Sequence, residues 1–172
     1  MTDTSQPLRA EESAAWVRLI AVAQLLPVAL DAQLQRDHGL THFEYVALMS
    51  LADVPDRTMR MTELASRTNA TLPRLSHVAR RLEDRGLIRR FPCPEDRRAT
   101  NATITDAGLR LLIDAGPGHI DTVRDLVVDA LTPDQLEQLY DITGAVLTRL
   151  DPDSRLSASS CQFSEGQVLQ AS

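Results

Sequence analysis

The feature that most constrains this chain is a pattern of two short helices, a basic hairpin and a helix cap in residues 61–108. Thr62 is suited to cap a first short helix, and Thr71 is suited to cap a second one with Pro73 in its first turn, where a missing N–H costs little. The second helix is predicted to end at Gly86, because glycine favours the left-handed conformation that stops a helix. Two helices of this length on a short turn match a helix-turn-helix.

A hairpin follows the second helix. Residues 87–91 and 99–104 are predicted to be strands, and the second of them shows period-two alternation. The loop between them is rigid and charged, because it holds two prolines, two acids and two arginines. Thr105 is suited to cap the helix that comes next. We therefore predict a mainly α fold with a small β wing, in which residues 41–105 form a winged helix-turn-helix domain.

Positive charge is concentrated in this same part of the chain. Residues 57–98 contain eleven arginines and five acids, a local net charge of +6, whereas the whole chain has a net charge of −6. The remaining residues therefore carry a net charge of −12. A basic module on an acidic body directs the attraction for a polyanion to one face. A solvated charged surface is the alternative interpretation of the same residues.

The second helix of the motif is amphipathic. Leu75, Val78, Ala79 and Leu82 fall on one apolar stripe, so this side is predicted to pack on the core. The opposite arc holds mostly cationic and polar side chains: Pro73, Arg74, Ser76, His77, Arg80 and Arg81. A helix of this kind fits the major groove of DNA, with its first residues at base edges and later ones at phosphates. An ordinary amphipathic surface helix is the alternative.

Within that arc, position along the helix suggests different roles. Arg74, Ser76 and His77 lie near the start of the helix and are predicted to contact base edges. Arg80 and Arg81 lie further along and are predicted to contact phosphates.

Helical periodicity continues on both sides of the domain, in residues 8–38 and 106–150. Pro27 is expected to kink or split the first segment, and Gly-Pro-Gly at residues 116–118 is expected to kink the second. These helices carry more apolar surface than one small domain requires, so we predict a helical dimerisation region. The side chains expected between two copies are Leu19, Leu26, Leu30, Leu136, Leu139, Val146 and Leu150. Packing within one chain is the alternative.

The composition argues against an enzyme. There is no lysine, which excludes a phosphate-binding Gly-Lys loop and a Schiff-base lysine. The His42-Phe43-Glu44 triplet matches half of a zinc deaminase motif, but the paired cysteines of that motif are missing. The histidines show no metal-ligand spacing. We expect no catalytic residues, no metal and no cofactor.

Cysteine usage and hydropathy favour a cytoplasmic protein. Only Cys93 and Cys161 occur, and the polar N-terminus does not resemble a secretory signal. The longest apolar run, residues 19–30, is broken by Gln24 and Pro27 and is shorter than the roughly 20 residues that a bilayer requires. A membrane is therefore not expected as a partner.

The two ends of the chain are predicted to be disordered. Residues 1–7 are polar, and residues 151–172 are rich in serine and short of large apolar side chains.

The winged motif resembles that of the MarR (multiple antibiotic resistance regulator) family of transcriptional regulators. Residues 96–108, DRRATNATITDAG, match the wing signature of that family, D-x-R, five residues, an aliphatic residue, T, two residues and G, with Ile104 where leucine is usual. Residues 74–78 and 81–88 resemble its recognition helix and the exit from that helix. The similarity extends over about residues 16–150.

This resemblance implies a dimer whose first and last helices interleave. It implies that Arg98, with Arg97 beside it, reaches the minor groove, and that Asp96 steadies the wing by pairing with a nearby arginine. An arginine on a hairpin tip suits a narrow, electronegative minor groove. A simple turn-forming role for Asp96 is the alternative.

The resemblance also implies a small aromatic or anionic effector in a cleft between the dimer helices and the winged module. Trp16, His42 and Phe43 are the candidate residues, with plain packing as the alternative. We therefore predict a cytoplasmic, homodimeric regulator that binds a pseudo-palindromic operator in double-stranded DNA, a repressor in most such families. A redox-responsive regulator acting through Cys93, or a sensor that docks an acidic protein, are the alternatives.

Overall fold

A computed structural model describes residues 6–156. Its elements follow one another in the order predicted from the sequence. They are α1 (Ala10–His38), α2 (His42–Ala52), β1 (Thr58–Arg60), α3 (Met61–Arg67), α4 (Leu72–Asp84), β2 (Ile88–Pro92), β3 (Thr100–Ile104), α5 (Asp106–Val123), a π-helical turn (Arg124–Val128) and α6 (Pro133–Leu150). The mainly α fold with a small β wing is confirmed.

The wing is part of a three-stranded antiparallel sheet in the order β1-β3-β2. Ala102 in the central strand faces Met59 on one side and Arg90 on the other. The short first strand therefore pairs with the second strand of the hairpin. This pairing ties the start of α3 to the wing.

The winged module has one apolar core. It is built from α2, α3, α4 and the sheet, and the end of α1 and the start of α5 pack against it. Its fully buried leucines are Leu34, Leu40, Leu48, Leu51, Leu64, Leu75 and Leu82. The apolar stripe predicted for α4 accordingly faces this core, which leaves the other side of the helix available for another molecule.

Thr105 and Gly108 fix the wing to α5. The Thr105 hydroxyl donates to the Gly86 carbonyl oxygen at 2.7 Å and accepts from the Gly108 N–H at 3.1 Å, so it caps α5 as predicted. A Cβ at position 108 would overlap the Leu87 carbonyl oxygen. Glycine is therefore required there because the helix starts directly against the backbone that leads into β2.

Two local predictions were wrong. α1 is one continuous helix through Pro27, so the predicted split does not occur. Apolar periodicity on both sides of the proline and the packing of the end of α1 outweigh the lost hydrogen bond, which costs about 3 kcal/mol in a helix interior. α5 also continues as a helix through residues 116–118, where the kink was predicted. α3 begins at Met61 with Arg60 in the N-cap position, rather than after Thr62.

The outer helices carry exposed apolar side chains. None of α6 is buried, and the first two thirds of α1 contain no buried residue. α1 is long and apolar enough to cross a membrane by length and composition alone, which corrects the prediction made from residues 19–30. Its last third contributes Leu30, Gln33 and Leu34 to buried packing.

The ends of the chain lie largely outside the described residues. This holds for residues 1–5 and 157–172, which include Cys161. Residues 151–156 were predicted to belong to a disordered tail, but they form a hydrogen-bonded turn after α6. The prediction was wrong there because Asp151 accepts hydrogen bonds from side chain and backbone groups that follow it.

Candidate nucleic-acid interface

The outward face of α4 presents exposed polar groups between the sheet and α2. Thr71 caps the helix, since its hydroxyl accepts from the Arg74 N–H at 3.4 Å. His77 and Arg80 are exposed on the outer arc, and Ser76 is half-buried beside the wing. Leu75, Ala79 and Leu82 are buried on the opposite side. Imidazole and guanidinium groups on such an arc can donate to base edges and phosphates.

Arg74 and Arg81 sit at one side of this arc rather than at its centre. The Arg74 guanidinium lies 4.6 Å from the centroid of the Phe43 ring, a cation–π contact with α2. The Arg81 Nη2 lies 3.3 Å from Oε1 of Glu44, whose side chain is fully buried. Arg81 and Glu44 therefore form an ion pair, but Oε1 of Glu44 accepts no hydrogen bond within the described residues. Both side chains therefore have partners within the protein that the sequence did not predict.

A third arginine, Arg85, lies one turn beyond Arg81 on the same side of the helix. Its Nη1 donates to the Gly39 carbonyl oxygen at 2.9 Å, where α1 ends. Arg74, Arg81 and Arg85 fall on the same side of α4, at intervals of seven and four residues. These three residues, which we call the arginine stripe, connect the helix to the junction of α1 and α2.

A groove of about 160 Å³ lies where α3, α4 and the wing meet. It brings together two of the predicted DNA-contacting residues, Ser76 and Arg98. The complete lining is Met61, Thr62, Leu72, Ser76, Arg90, Arg98, Ala99 and Thr100. Helix and wing thus form one continuous surface.

Glu83 and Arg90 fix the angle between α4 and the wing. The Glu83 carboxylate accepts from the Arg90 N–H at 2.8 Å, from Nε at 3.0 Å and from Nη2 at 2.6 Å. The hydrogen bond from the Arg90 side chain lowers the pKa of Glu83. Neither residue was singled out from the sequence. Their spacing of seven residues across a helix end and a strand carries no local signal.

The wing loop is held by backbone contacts. Asp96 Oδ1 accepts from the Arg98 N–H at 3.1 Å, and the Ala99 N–H donates to the Asp96 carbonyl oxygen at 2.8 Å. Asp96 therefore forms a turn, whereas the expected partner was an arginine side chain. Arg97 and Arg98 are both exposed. Cys93 is buried at the base of the loop, and its thiol donates to Glu95 at 2.9 Å.

The three candidate effector residues are not brought together within one chain. The His42 N–H donates to Asp31 of α1 at 2.9 Å, and its ring centroid lies 5.7 Å from that of His119. Trp16 is exposed and lies fifteen residues before Asp31 on the same helix, roughly 22 Å along the helix axis. His42 and Phe43 are adjacent, but Trp16 belongs to a different surface.

The ring cluster around His119 is buried between α2 and α5. Tyr45 and His119 have ring centroids 4.6 Å apart. Burial lowers the pKa of His119 to about 4, and the neighbouring His42 contributes to the shift. Burial also lowers the pKa of His42, although Asp31 opposes the effect. No cluster of metal-ligating side chains is found among residues 6–156.

An exposed helix face next to an arginine-bearing wing defines a winged helix-turn-helix protein. The MarR family model matches residues 40–100. The MarR family transcriptional regulator Sco3205 from Streptomyces coelicolor, solved in complex with DNA, is 45% identical, with a TM-score of 0.83 and coverage of 88% of this chain and 94% of that chain. AbsC, a MarR family regulator from the same organism, is 34% identical, with a TM-score of 0.79 and coverage of 85% and 98%.

The chain belongs to the MarR family of transcriptional regulators, as its wing motif predicted. A curated relative, the transcriptional repressor MprA of Escherichia coli (strain K12), is 31% identical over 118 residues, which is 66% of this chain. The matched stretch spans 64% of the length of MprA. Membership in this family agrees with the expectation that the chain is not an enzyme.

Proposed function

We propose that this protein binds a pseudo-palindromic operator in double-stranded DNA as a homodimer and represses transcription from it. The observation that carries the proposal is the continuous surface formed by the outer arc of α4, the groove beside it and the wing. On this surface His77 and Arg80 would meet base edges and phosphates of the major groove, with Ser76 toward the wing. Arg98 and Arg97 would enter the adjacent minor groove.

The side-chain contacts refine the roles proposed for α4. Arg74 and Arg81 have partners in α2, so they would position the helix as well as supply positive charge toward phosphates. Asp96 would hold the wing tip through its contact to the Arg98 backbone. His77 then remains the best candidate for a sequence-specific contact and Arg80 for a phosphate contact, because both side chains are exposed on the outer arc.

Dimer formation is supported by the apolar surface that a single chain leaves uncovered. Trp16, Leu19 and Leu25 on α1 are 54%, 47% and 69% exposed, and Leu136 and Leu139 on α6 are also exposed. Large apolar side chains left exposed on two helices are typical of an interface between protein chains. A symmetric pair of modules would read two half-sites about 34 Å apart.

The effector is proposed to act at the junction of α1 and α2. His42 and Phe43 lie there, and the arginine stripe connects this junction to α4. A small aromatic anion that binds one arrangement of the junction better than the other would shift the half-site spacing. Repression itself is supported by relatives named as repressors, MprA among them.

Capture of fragmented genomic DNA by the purified full chain, followed by sequencing, tests the proposal. We expect enrichment of fragments that share two inverted half-sites, and release of the bound fragment when benzoate is added as a probe. Reporter transcription from an enriched promoter should rise when the gene for this protein is deleted. Recovery of fragments with no common sequence would contradict the proposal.

A further inference from the structure

The turn that follows α6 places an arginine beside the helix-turn-helix. Asp151 ends α6 and is 7% exposed. Its Oδ1 accepts from Arg155 Nε at 3.1 Å, and its Oδ2 accepts from the Leu156 N–H at 2.7 Å. The Ser154 N–H donates to the Asp151 carbonyl oxygen at 2.9 Å. These contacts fold residues 151–156 back on themselves and give the Arg155 side chain a fixed starting direction.

Arg155 lines a groove together with the turn between α3 and α4. The groove has a volume of about 240 Å³, and its other lining residues are Ala65, Ser66, Asn69, Ala70 and Thr71. Asn69 has a positive φ of 48° in this turn, and Thr71 caps α4. The segment after the last helix, far from the winged module in sequence, therefore borders the point where α4 begins.

This position matters because the first residues of a recognition helix enter the major groove. In a DNA complex of this kind, a side chain beside the α3–α4 turn consequently lies near the phosphates that flank the major groove. Arg155 is about half exposed, at 54% of its side chain. Its hydrogen bond to Asp151 uses Nε, whereas its Nη atoms donate no hydrogen bond to any other residue between 6 and 156. Guanidinium nitrogens in this arrangement can donate to a phosphate while Asp151 holds the other side of the group.

We propose that Arg155 contacts a DNA backbone phosphate next to the α3–α4 turn, and so extends the DNA-binding surface beyond the winged module. The proposal rests on the proposed function. The contact is independent of sequence, because a phosphate carries no base identity. Asp151 acts through Arg155 as a positioning residue.

The test compares the full chain with three variants: Arg155→Ala, Arg155→Lys and Arg149→Ala. Arg149 is the matched control, because it is an exposed arginine near the end of α6 that does not line the groove. Fluorescence anisotropy measures the affinity over a range of salt concentrations for two labelled duplexes. One is selected by the genomic capture, and the other has a scrambled sequence. Circular dichroism melting confirms that each variant is folded.

We expect Arg155→Ala to weaken binding to both duplexes by similar factors, roughly threefold to tenfold, and to reduce the slope of log affinity against log salt by about 1. Arg155→Lys should keep most of the slope, and Arg149→Ala should match the parent. Equal slopes for the parent and Arg155→Ala, or equal losses for Arg155→Ala and Arg149→Ala, would overturn the proposal while leaving the proposed function intact. A parent chain that binds neither duplex would overturn both.

Discussion

Arg81 of α4 forms an ion pair with Glu44 of α2, and the Glu44 side chain is completely buried. Glu44 also completes a capping box, because its Oε2 accepts from the Thr41 N–H at 2.8 Å while its own N–H donates to the Thr41 hydroxyl at 3.1 Å. A single carboxylate thus caps α2 and meets the helix proposed to lie in the major groove. This pair joins α4 to the start of α2.

Replacing Arg81 with alanine should destabilise the fold. The change leaves a buried carboxylate with one fewer charged partner, which costs about 1–2 kcal/mol once the half-exposed position of Arg81 is allowed for. Urea unfolding followed by circular dichroism measures the effect. Arg80→Ala is the control, because Arg80 is exposed one position away and should change stability by less than about 0.5 kcal/mol. Equal stabilities for the two variants would show that the Glu44 contact is not significant.

Replacing Glu83 with glutamine should loosen the wing. The partly exposed pair with Arg90 contributes about 0.5–1 kcal/mol. Because Arg90 lowers the pKa of Glu83 in the folded state, the stabilisation is present above the ordinary value of 4.5 and is lost as the pH falls below it. Thermal melts at pH 7 and pH 3.5 should therefore separate the parent from Glu83→Gln more at the higher pH than at the lower one. A difference that persists unchanged at pH 3.5 would contradict the role of this ion pair.

Replacing His119 with phenylalanine should flatten the pH dependence of stability. The buried imidazole has a pKa of about 4 in the folded state, whereas the unfolded chain takes up a proton near the ordinary value of 6.5. Burial in the neutral form therefore costs stability progressively as the pH falls from about 6.5 to about 4. Chemical unfolding should show that the free energy of unfolding changes less between pH 7.5 and pH 5.0 for His119→Phe than for the parent. Equal changes for the two proteins would contradict the lowered pKa of His119 in the folded state.

Replacing Leu139 with glutamate should weaken the proposed dimer. Leu139 lies on the partly exposed apolar side of α6, and burial of an unpaired carboxylate at an interface costs several kcal/mol. Size-exclusion chromatography with light scattering should give twice the 19.0 kDa chain mass for the parent and a shift toward one chain for the variant. Gln138→Glu adds the same charge one residue away and should stay dimeric. A monomeric parent, or one that sediments with lipid vesicles through α1, would contradict this assignment of the apolar surface.

Local patterns in the sequence were sufficient to predict most of the architecture. Capping threonines at positions 71 and 105 begin helices as expected, and the apolar stripe of α4 faces the core. Such signals depend on residues within a few positions of one another, so a single sequence carries them. The predicted splitting of α1 at Pro27 failed because packing outweighed a local preference.

The candidate site was predicted less completely, because its details depend on contacts between distant segments. A helical wheel places Arg74, His77 and Arg81 on one polar arc, yet two of these three turn toward α2. The partners, Phe43 and Glu44, lie 31 and 37 residues earlier in the chain, where no local pattern connects them to α4. The contact of Glu83 with Arg90, and the position of Arg155 beside the α3–α4 turn, are likewise absent from any short-range motif.

The most direct test of the account is the salt dependence of duplex binding by the parent chain, His77→Ala and Arg98→Ala. Binding through phosphate contacts should give a steep linear loss of log affinity with log salt for the parent. His77→Ala should lose about 1–3 kcal/mol on the selected duplex and little on a scrambled one, whereas Arg98→Ala should weaken both by similar factors. A parent chain that binds selected and scrambled duplexes equally, with no dependence on salt, would contradict it.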